Sequence, residues 1–269
     1  MTATIQPPAR DAVSAPARRA PLERVNPATR ILMTAILALP LFASIDWVSS
    51  AVAVALMLAA IPLSGLPLAL VARRLAPIAA FAPIAGVSML LYAEPGGRIH
   101  LSFWFATISD DSIALAIAVT LRVLALGIPT ILLFSRLDAT ELADALTQVW
   151  RMPDRLVFGV LAGARMLGLF LDDWRSMELA RRARGVGDAG RLRRAATMAF
   201  VLLVFAVRRG TKLATAMEAR GFGAPGPRSR SRRSRVGAAD PLAILGSCLV
   251  MALALGAAVA AGTFQFIWS

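Results

Sequence analysis

Residues 31–71 read ILMTAILALPLFASIDWVSSAVAVALMLAAIPLSGLPLALV, and Asp46 is the single charge among them. A helix needs about 20 apolar residues to cross the ~30 Å hydrocarbon core of a bilayer. This block is about twice that length and is broken at Asp46-Trp47. It therefore reads as two short helices, 31–45 and 48–71, with Asp46 at the outer turn. Arg73 and Arg74 then mark a return to the starting side. A third span is expected over 75–92; Pro77 and Pro83 are tolerated there because neighbouring helices can satisfy the freed carbonyls. Residues 94–111, with Gly96, Gly97 and His100, read as an outer loop. A fourth span over 112–134 contains Arg122, and a last apolar run covers 242–268.

The composition agrees. The chain of 269 residues is 58% hydrophobic, above the roughly 45–50% of ordinary soluble domains. Its net charge is nevertheless +13, and the charge is segregated: 16 of the 29 Lys and Arg fall between Arg175 and Arg235, against Glu178, Asp188 and Glu218. Basic segments beside membrane spans mark the cytoplasmic side and meet anionic head groups. Five spans starting inside leave only Arg98 and His100 in the large outer loop, as the positive-inside rule requires. The first 30 residues carry Arg10, Arg18, Arg19 and Arg24 among Pro and Ala and read as a disordered cytoplasmic tail without a signal-peptide core.

Between the fourth span and the last, the pattern changes. Asp138-Ala139-Thr140-Glu141 has capping-box spacing, and Leu142, Leu146, Val149 and Trp150 follow on one helical face, with Pro153 ending the helix. Val157, Val160, Leu161, Ala164, Leu167, Gly168 and Leu171 repeat at three and four opposite Arg155 and Arg165. That is an amphipathic helix at the interface or against the bundle. Residues 195–207 are apolar but too few to span, so they are expected on the cytoplasmic face. RSRSRRSR, residues 228–235, reads as a solvated linker.

Several chemistries are missing from the sequence. No phosphate loop surrounds Lys212, the one lysine. One His and one Cys, Cys248, cannot supply a metal-ligand set or a disulfide framework. No catalytic residue, cofactor site or metal site is expected. Arg122 remains as an intramembrane charge of possible role; burying it alone is expensive, and the plainer reading has it facing the bundle or reaching toward an interface.

One polar element occurs twice. ARGVGDAG (183–190) and ARGFGAPG (219–226) each follow a helix-favouring run, SMELARRA and KLATAMEA. Gly after a last turn is the left-handed helix stop, and Arg there meets the negative end of the helix dipole. Two such ends alone need no partner. Placed in one cytoplasmic region, however, they offer two planar guanidinium forks beside small residues, suited to a partner with two equivalent grooves.

With these residues in view the chain resembles the transmembrane (T) component of energy-coupling factor transporters, prokaryotic importers of vitamins and transition metals. The resemblance runs from about Leu22 onward and rests on RVNPATRIL (24–32), ATELADALTQVWRMP (139–153), LARRARG (179–185) and TAMEARGF (215–222). Arg30 stands where many relatives have Lys. The resemblance implies that two cytoplasmic ABC ATPase subunits each accept one coupling-helix end, here Ala183-Arg184-Gly185 and Ala219-Arg220-Gly221. It further implies that their motion passes to a substrate-binding membrane subunit, the S component. The chain itself would be a non-catalytic multi-pass subunit of the plasma membrane, in contact with lipid and not with nucleic acid.

The expected fold is thus all-α: a polytopic membrane protein with about five transmembrane helices and a cytoplasmic coupling-helix region. Its segments are a tail (1–30), a four-span region (31–135), coupling helices (136–227), an Arg/Ser-rich linker (228–240) and a C-terminal span (241–269). Two other readings compete. One is a stand-alone transporter or channel whose solute path passes Arg122; the other is nucleic-acid binding by the Arg/Ser tract.

Overall fold

The computed structural model describes residues 21–44, 46–92, 96, 98–103, 106–185, 190–224, 230 and 232–264, and every structural statement below concerns these. The expected tail through residue 20, Gly187 and Gly226 of the repeat, Arg228 of the basic tract and residues 265–269 lie outside them, as does the side chain of His100.

The first apolar block splits where its lone carboxylate falls. Helix α1 covers Pro27–Ala43 and α2 covers Trp47–Ser64. Asp46 caps α2: the Ser49 backbone N–H donates to Oδ2 and the Ser49 hydroxyl to Oδ1, both at 2.6 Å. Capping satisfies one of the donors that every helix start leaves unpaired.

The second break differs from expectation. Gly65 closes α2 in the left-handed region, at φ 69°, and Pro67 follows. Helix α3 then runs Leu68–Tyr92 and carries Arg73 and Arg74 inside it. The spans expected over 48–71 and 75–92 are therefore corrected. A left-handed cap plus a proline stops a helix even where the composition stays apolar, and two arginines do not.

The expected outer loop holds an antiparallel hairpin of β1 (Ile99–Phe103) and β2 (Ala106–Ser109). Ser109 then starts α4, Asp110–Phe134, through a reciprocal capping box with Ser112. Helices α3 and α4 approach closely at Gly86, where an added Cβ would collide with the Thr120 hydroxyl and the Ala116 carbonyl. Small residues at helix contacts are how membrane bundles gain packing.

Helix α5 covers Ala139–Gln148, α6 Asp154–Ala183, α7 Arg191–Ala219 and α8 Ala239–Ala260. Helices α2, α3, α4 and α8 are long and apolar enough to cross a membrane; α1 is a shorter apolar helix of 17 residues. With strands confined to one described hairpin, the protein is an all-α polytopic membrane protein.

The chain divides into two compact units. One takes in the chain up to Leu137 together with the chain from Val236 onward, the other runs from Asp138 to Arg235. The first unit is cored by Leu37, Leu41, Met57, Ile61, Ile128 and Met251 from α1, α2, α4 and α8. Large apolar side chains such as Leu39, Phe42, Leu63, Phe81 and Leu242 stay exposed on its helices, as lipid-facing residues do.

One end of this unit is held by buried polar contacts. Arg30, only 4% exposed, donates to the carbonyls of Val25 (3.1 Å), Leu22 (2.6 Å) and Leu133 (3.5 Å). Arg74 donates to the Ser135 carbonyl at 2.9 Å. The two arginines thus serve the unpaired carbonyls at the end of α4. Asp240, 1% exposed in the first turn of α8, accepts the N–H of Asn26 at 2.7 Å and of Gly237 at 2.6 Å. Asn26 in turn caps α1, so one carboxylate ties the start of α1 to the start of α8. Asp240→Ala orphans two backbone donors and is expected to cost about 3 kcal/mol, with Asp240→Asn roughly half that. Thermal unfolding of the detergent-solubilised chain should rank the three proteins in that order.

In the second unit, Asp138 caps α5 by accepting the Thr140 N–H at 2.8 Å, without the expected reciprocal box. That backbone bond and the Thr140 hydroxyl, with Arg232 and Arg165 nearby, hold the Asp138 carboxyl below its usual range. The cap is therefore complete above the ordinary carboxylate pKa and is lost as pH falls through the depressed one. Helix α5 ends before Val149, with Arg151 at φ 54°, so Pro153 begins α6 and does not end α5. Residues 195–207 lie inside the 29-residue α7.

The Arg/Ser tract is tethered at two of its described residues. The side-chain amide of Gln148 donates to the Arg232 carbonyl at 3.0 Å and accepts the Ser234 N–H at 2.9 Å. A side-chain amide carries both a donor and an acceptor, and here it pairs with the backbone as a neighbouring strand would.

Candidate partner-contact site

The two halves of the sequence repeat adopt one geometry. Helices α6 and α7 end at Ala183 and Ala219. Arg184 follows with φ −89° and ψ 4°, and Arg220 with φ −90° and ψ 10°. Gly185 and Gly221 then turn left-handed, at φ 68° and 77°. The Arg184 N–H returns to the Ala180 and Arg181 carbonyls, and the Gly185 N–H to Arg182 at 3.1 Å. At the other end the Gly221 N–H returns to Glu218 at 2.9 Å and the Phe222 N–H to Met217 at 2.9 Å. This pair of bonds closes a Schellman turn, whose usual apolar contact is supplied by Phe222 and Met217 lining one groove.

A Cβ on Gly185 or Gly221 would meet no atom within 4 Å. The chain's own packing therefore does not demand glycine there. The left-handed turn does, since an L side chain in that region costs about 1 kcal/mol or more. All six residues of the two triplets are exposed. Among the described residues, neither Arg184 nor Arg220 has a hydrogen bond or ion pair from its side chain. Neighbouring cations are engaged: Arg182 pairs with Glu178 at 2.7 Å and Arg175 with Asp172 at 3.4 Å. Among the described residues Arg193 and Arg208 of α7 are equally free, and what sets Arg184 and Arg220 apart is the left-handed glycine that follows each.

Long-range contacts set where the two ends lie. Arg209 of α7 meets Asp173 of α6 end-on, Nη1 to Oδ2 at 2.6 Å and Nη2 to Oδ1 at 3.1 Å, with its guanidinium 6.0 Å from the Phe170 ring. Arg155 at the start of α6 donates to the Gly223 carbonyl at 2.8 Å, just beyond the end of α7. Early α6 thus meets late α7, so the pair is antiparallel. The Arg220 end lies beside Arg155, and Arg184 lies at the far end of α6. At 1.5 Å per residue, the helix from Arg155 to Arg184 separates the two ends by about 43 Å. The sequence reading marked both ends and missed the clamps, because an Arg-Asp or Arg-carbonyl contact across dozens of residues has no local signature.

Arg122 lies elsewhere, in the middle of α4. The Arg30 contact to the Leu133 carbonyl sets α1 and α4 in register. From there α1 rises about 20 Å to its end at Ala43, and α4 about 17 Å to Arg122. The short α1–α2 turn, with Asp46 at the start of α2, therefore reaches only to the depth of Arg122. Nε and Nη2 of Arg122 are enclosed and have no acceptor among the described residues. Ser44, Asp46, Ser49 and Ser50 are buried around the turn. Among the described residues no cluster of His, Cys, Asp or Glu is placed to hold a metal ion.

Comparison with known proteins agrees with this architecture. A family model described as cobalt transport protein, CbiQ, matches residues 18–231. A protein of Exiguobacterium sibiricum named energy-coupling factor transporter transmembrane protein EcfT is 32% identical over 204 residues, 71% of this chain and 76% of its own length. Its namesake from Lactococcus lactis subsp. cremoris is 25% identical over 247 residues, covering 87% of this chain and 92% of its own. A bundle of membrane helices followed by paired, arginine-ended helices lies within the matched region, and the chain belongs to the CbiQ/EcfT family of energy-coupling factor transmembrane components.

Proposed function

We propose that the chain is the membrane-embedded coupler of an importer, passing ATP-driven motion from two cytoplasmic ABC ATPases to a separate substrate-binding S component. The observation that carries this reading is the pair of geometrically equivalent, exposed and unpaired Arg-Gly ends. Guanidinium forks beside left-handed glycines suit helix-end carbonyls or carboxylates on a partner surface. Each triplet, Ala183-Arg184-Gly185 and Ala219-Arg220-Gly221, contacts one ATPase, and a dimer of ATPases offers the matching pair of grooves.

In this reading the second unit is cytoplasmic, in keeping with its basic charge. Its exposed apolar residues, among them Leu167, Leu171, Phe200 and Leu203, support apposition to another apolar surface, such as the S component or the bilayer. The chain binds no nucleotide and catalyses nothing itself. The cargo is a vitamin or a transition metal, chosen by the S component. Arg122 acts inside the bundle with Asp46; enclosure of its Nε and Nη2 weighs against a solute path along it. Co-expression tests the reading: the chain should copurify with two ATPase subunits, and vesicles holding the chain alone should take up no vitamin or cobalt. Uptake by the chain alone would favour the stand-alone transporter.

A further inference from the structure

The first unit contains a cleft of about 530 Å³ between α1, α2, α4 and α8, walled by Leu37, Met57, Leu63, Leu132, Leu242 and Gly246 among others. That volume is in the range of ligand clefts, roughly 300–1,000 Å³. The two serines on its wall are already satisfied by their own helices: Ser64 donates to the Ile61 carbonyl at 2.6 Å and Ser247 to Ala243 at 2.9 Å. The lining therefore asks for no polar ligand. It is also open, since Leu63 is 72% and Leu242 69% exposed and a Cβ on Gly246 would meet nothing within 4 Å.

The cleft sits at the end of the unit that carries the polar contacts of Arg30 and Asp240. Pro21, Leu22 and Val25 form part of its wall. Arg24 belongs to that same turn, is exposed, and has no hydrogen bond or ion pair among the described residues. Arg73, exposed in the early turns of α3, adds positive charge at this end. A hydrocarbon groove in membrane-spanning helices, with an unpaired cation in the short turn that forms part of its wall, matches a molecule with an alkyl chain and an anionic head.

We infer that this cleft is a binding site for an anionic phospholipid, an acyl chain lying in the groove and the phosphate meeting Arg24. The inference rests on the membrane bundle and is independent of the coupling role. Burial of successive methylenes supplies the affinity, and the arginine supplies the preference for an anionic head.

The test uses the full chain in nanodiscs or mixed micelles with dioleoyl-phosphatidylglycerol or dioleoyl-phosphatidylcholine, and retained lipid is read by native mass spectrometry. The wild type should retain phosphatidylglycerol in preference. Arg24→Gln should lower that preference about five-fold. Gly246→Phe and, independently, Ala60→Phe on α2 should reduce retention tenfold or more, while monodispersity and thermal unfolding verify that both variants fold. A photoactivatable phosphatidylglycerol should label the wild type within residues 242–250, a readout that needs no variant. Equal retention of the two lipids by the wild type, or labelling elsewhere, overturns the inference and leaves the cleft to be covered by protein.

Discussion

Arg184→Glu combined with Arg220→Glu should abolish recovery of the ATPase subunits with the chain and abolish transport, while membrane insertion is unchanged. Breaking one partner of a buried, hydrogen-bonded charge pair costs roughly 2–5 kcal/mol, and reversal adds repulsion. Two such ends correspond to a weakening of at least about 10³-fold. The local cost to each helix is much smaller. An acidic residue at a helix C-terminus loses about 0.5 kcal/mol to the dipole, which cannot unfold helices of 30 and 29 residues. The effect should therefore appear in association and not in folding. Each single variant should weaken association by a similar factor, because the caps have the same geometry. Arg208→Glu, on the exposed face of α7, should leave association within about two-fold. ATPase recovery with the double variant at wild-type levels would sink the coupling proposal.

The second large effect belongs to Arg30. Its guanidinium serves three carbonyls, one of them Leu133 at the end of α4. Met fills much of the volume but leaves those carbonyls without the donor, at an expected cost of about 3–5 kcal/mol. For a chain of this size that lowers the unfolding midpoint by roughly 6–20 °C. Arg30→Lys keeps the charge and loses the planar fork, so it should fall between the two. Thermal melts in one detergent check the order. A Met variant that melts with the wild type would show that the carbonyls find other partners.

The parts of this molecule legible in its sequence are those written locally. Apolar runs and the Asp46 interruption announce membrane helices because bilayer thickness fixes their length. The two Arg-Gly ends announce themselves because a helix stop is a matter of a few adjacent residues. The stop at Gly65 is written in Gly65 and Pro67 but brings no charge that would interrupt the apolar run, whereas Arg73 and Arg74 suggest a loop where α3 continues. The β1–β2 hairpin was hidden among loop residues, where alternation is too short to register. Least legible were contacts distant in sequence: Arg155 with Gly223, Arg209 with Asp173, and Gln148 with the Arg/Ser tract. Those contacts orient the site, so sequence gives its chemistry and the fold gives its spacing.

The antiparallel run of α6 and α7 makes the two arginine caps opposite tips of one beam. A push that moves both tips together carries the beam without turning it. Opposed pushes rotate it, and the clamps Arg155–Gly223 and Arg209–Asp173 make both helices turn as one body. Such a beam is insensitive to where its two supports stand on average and responds to how their positions differ.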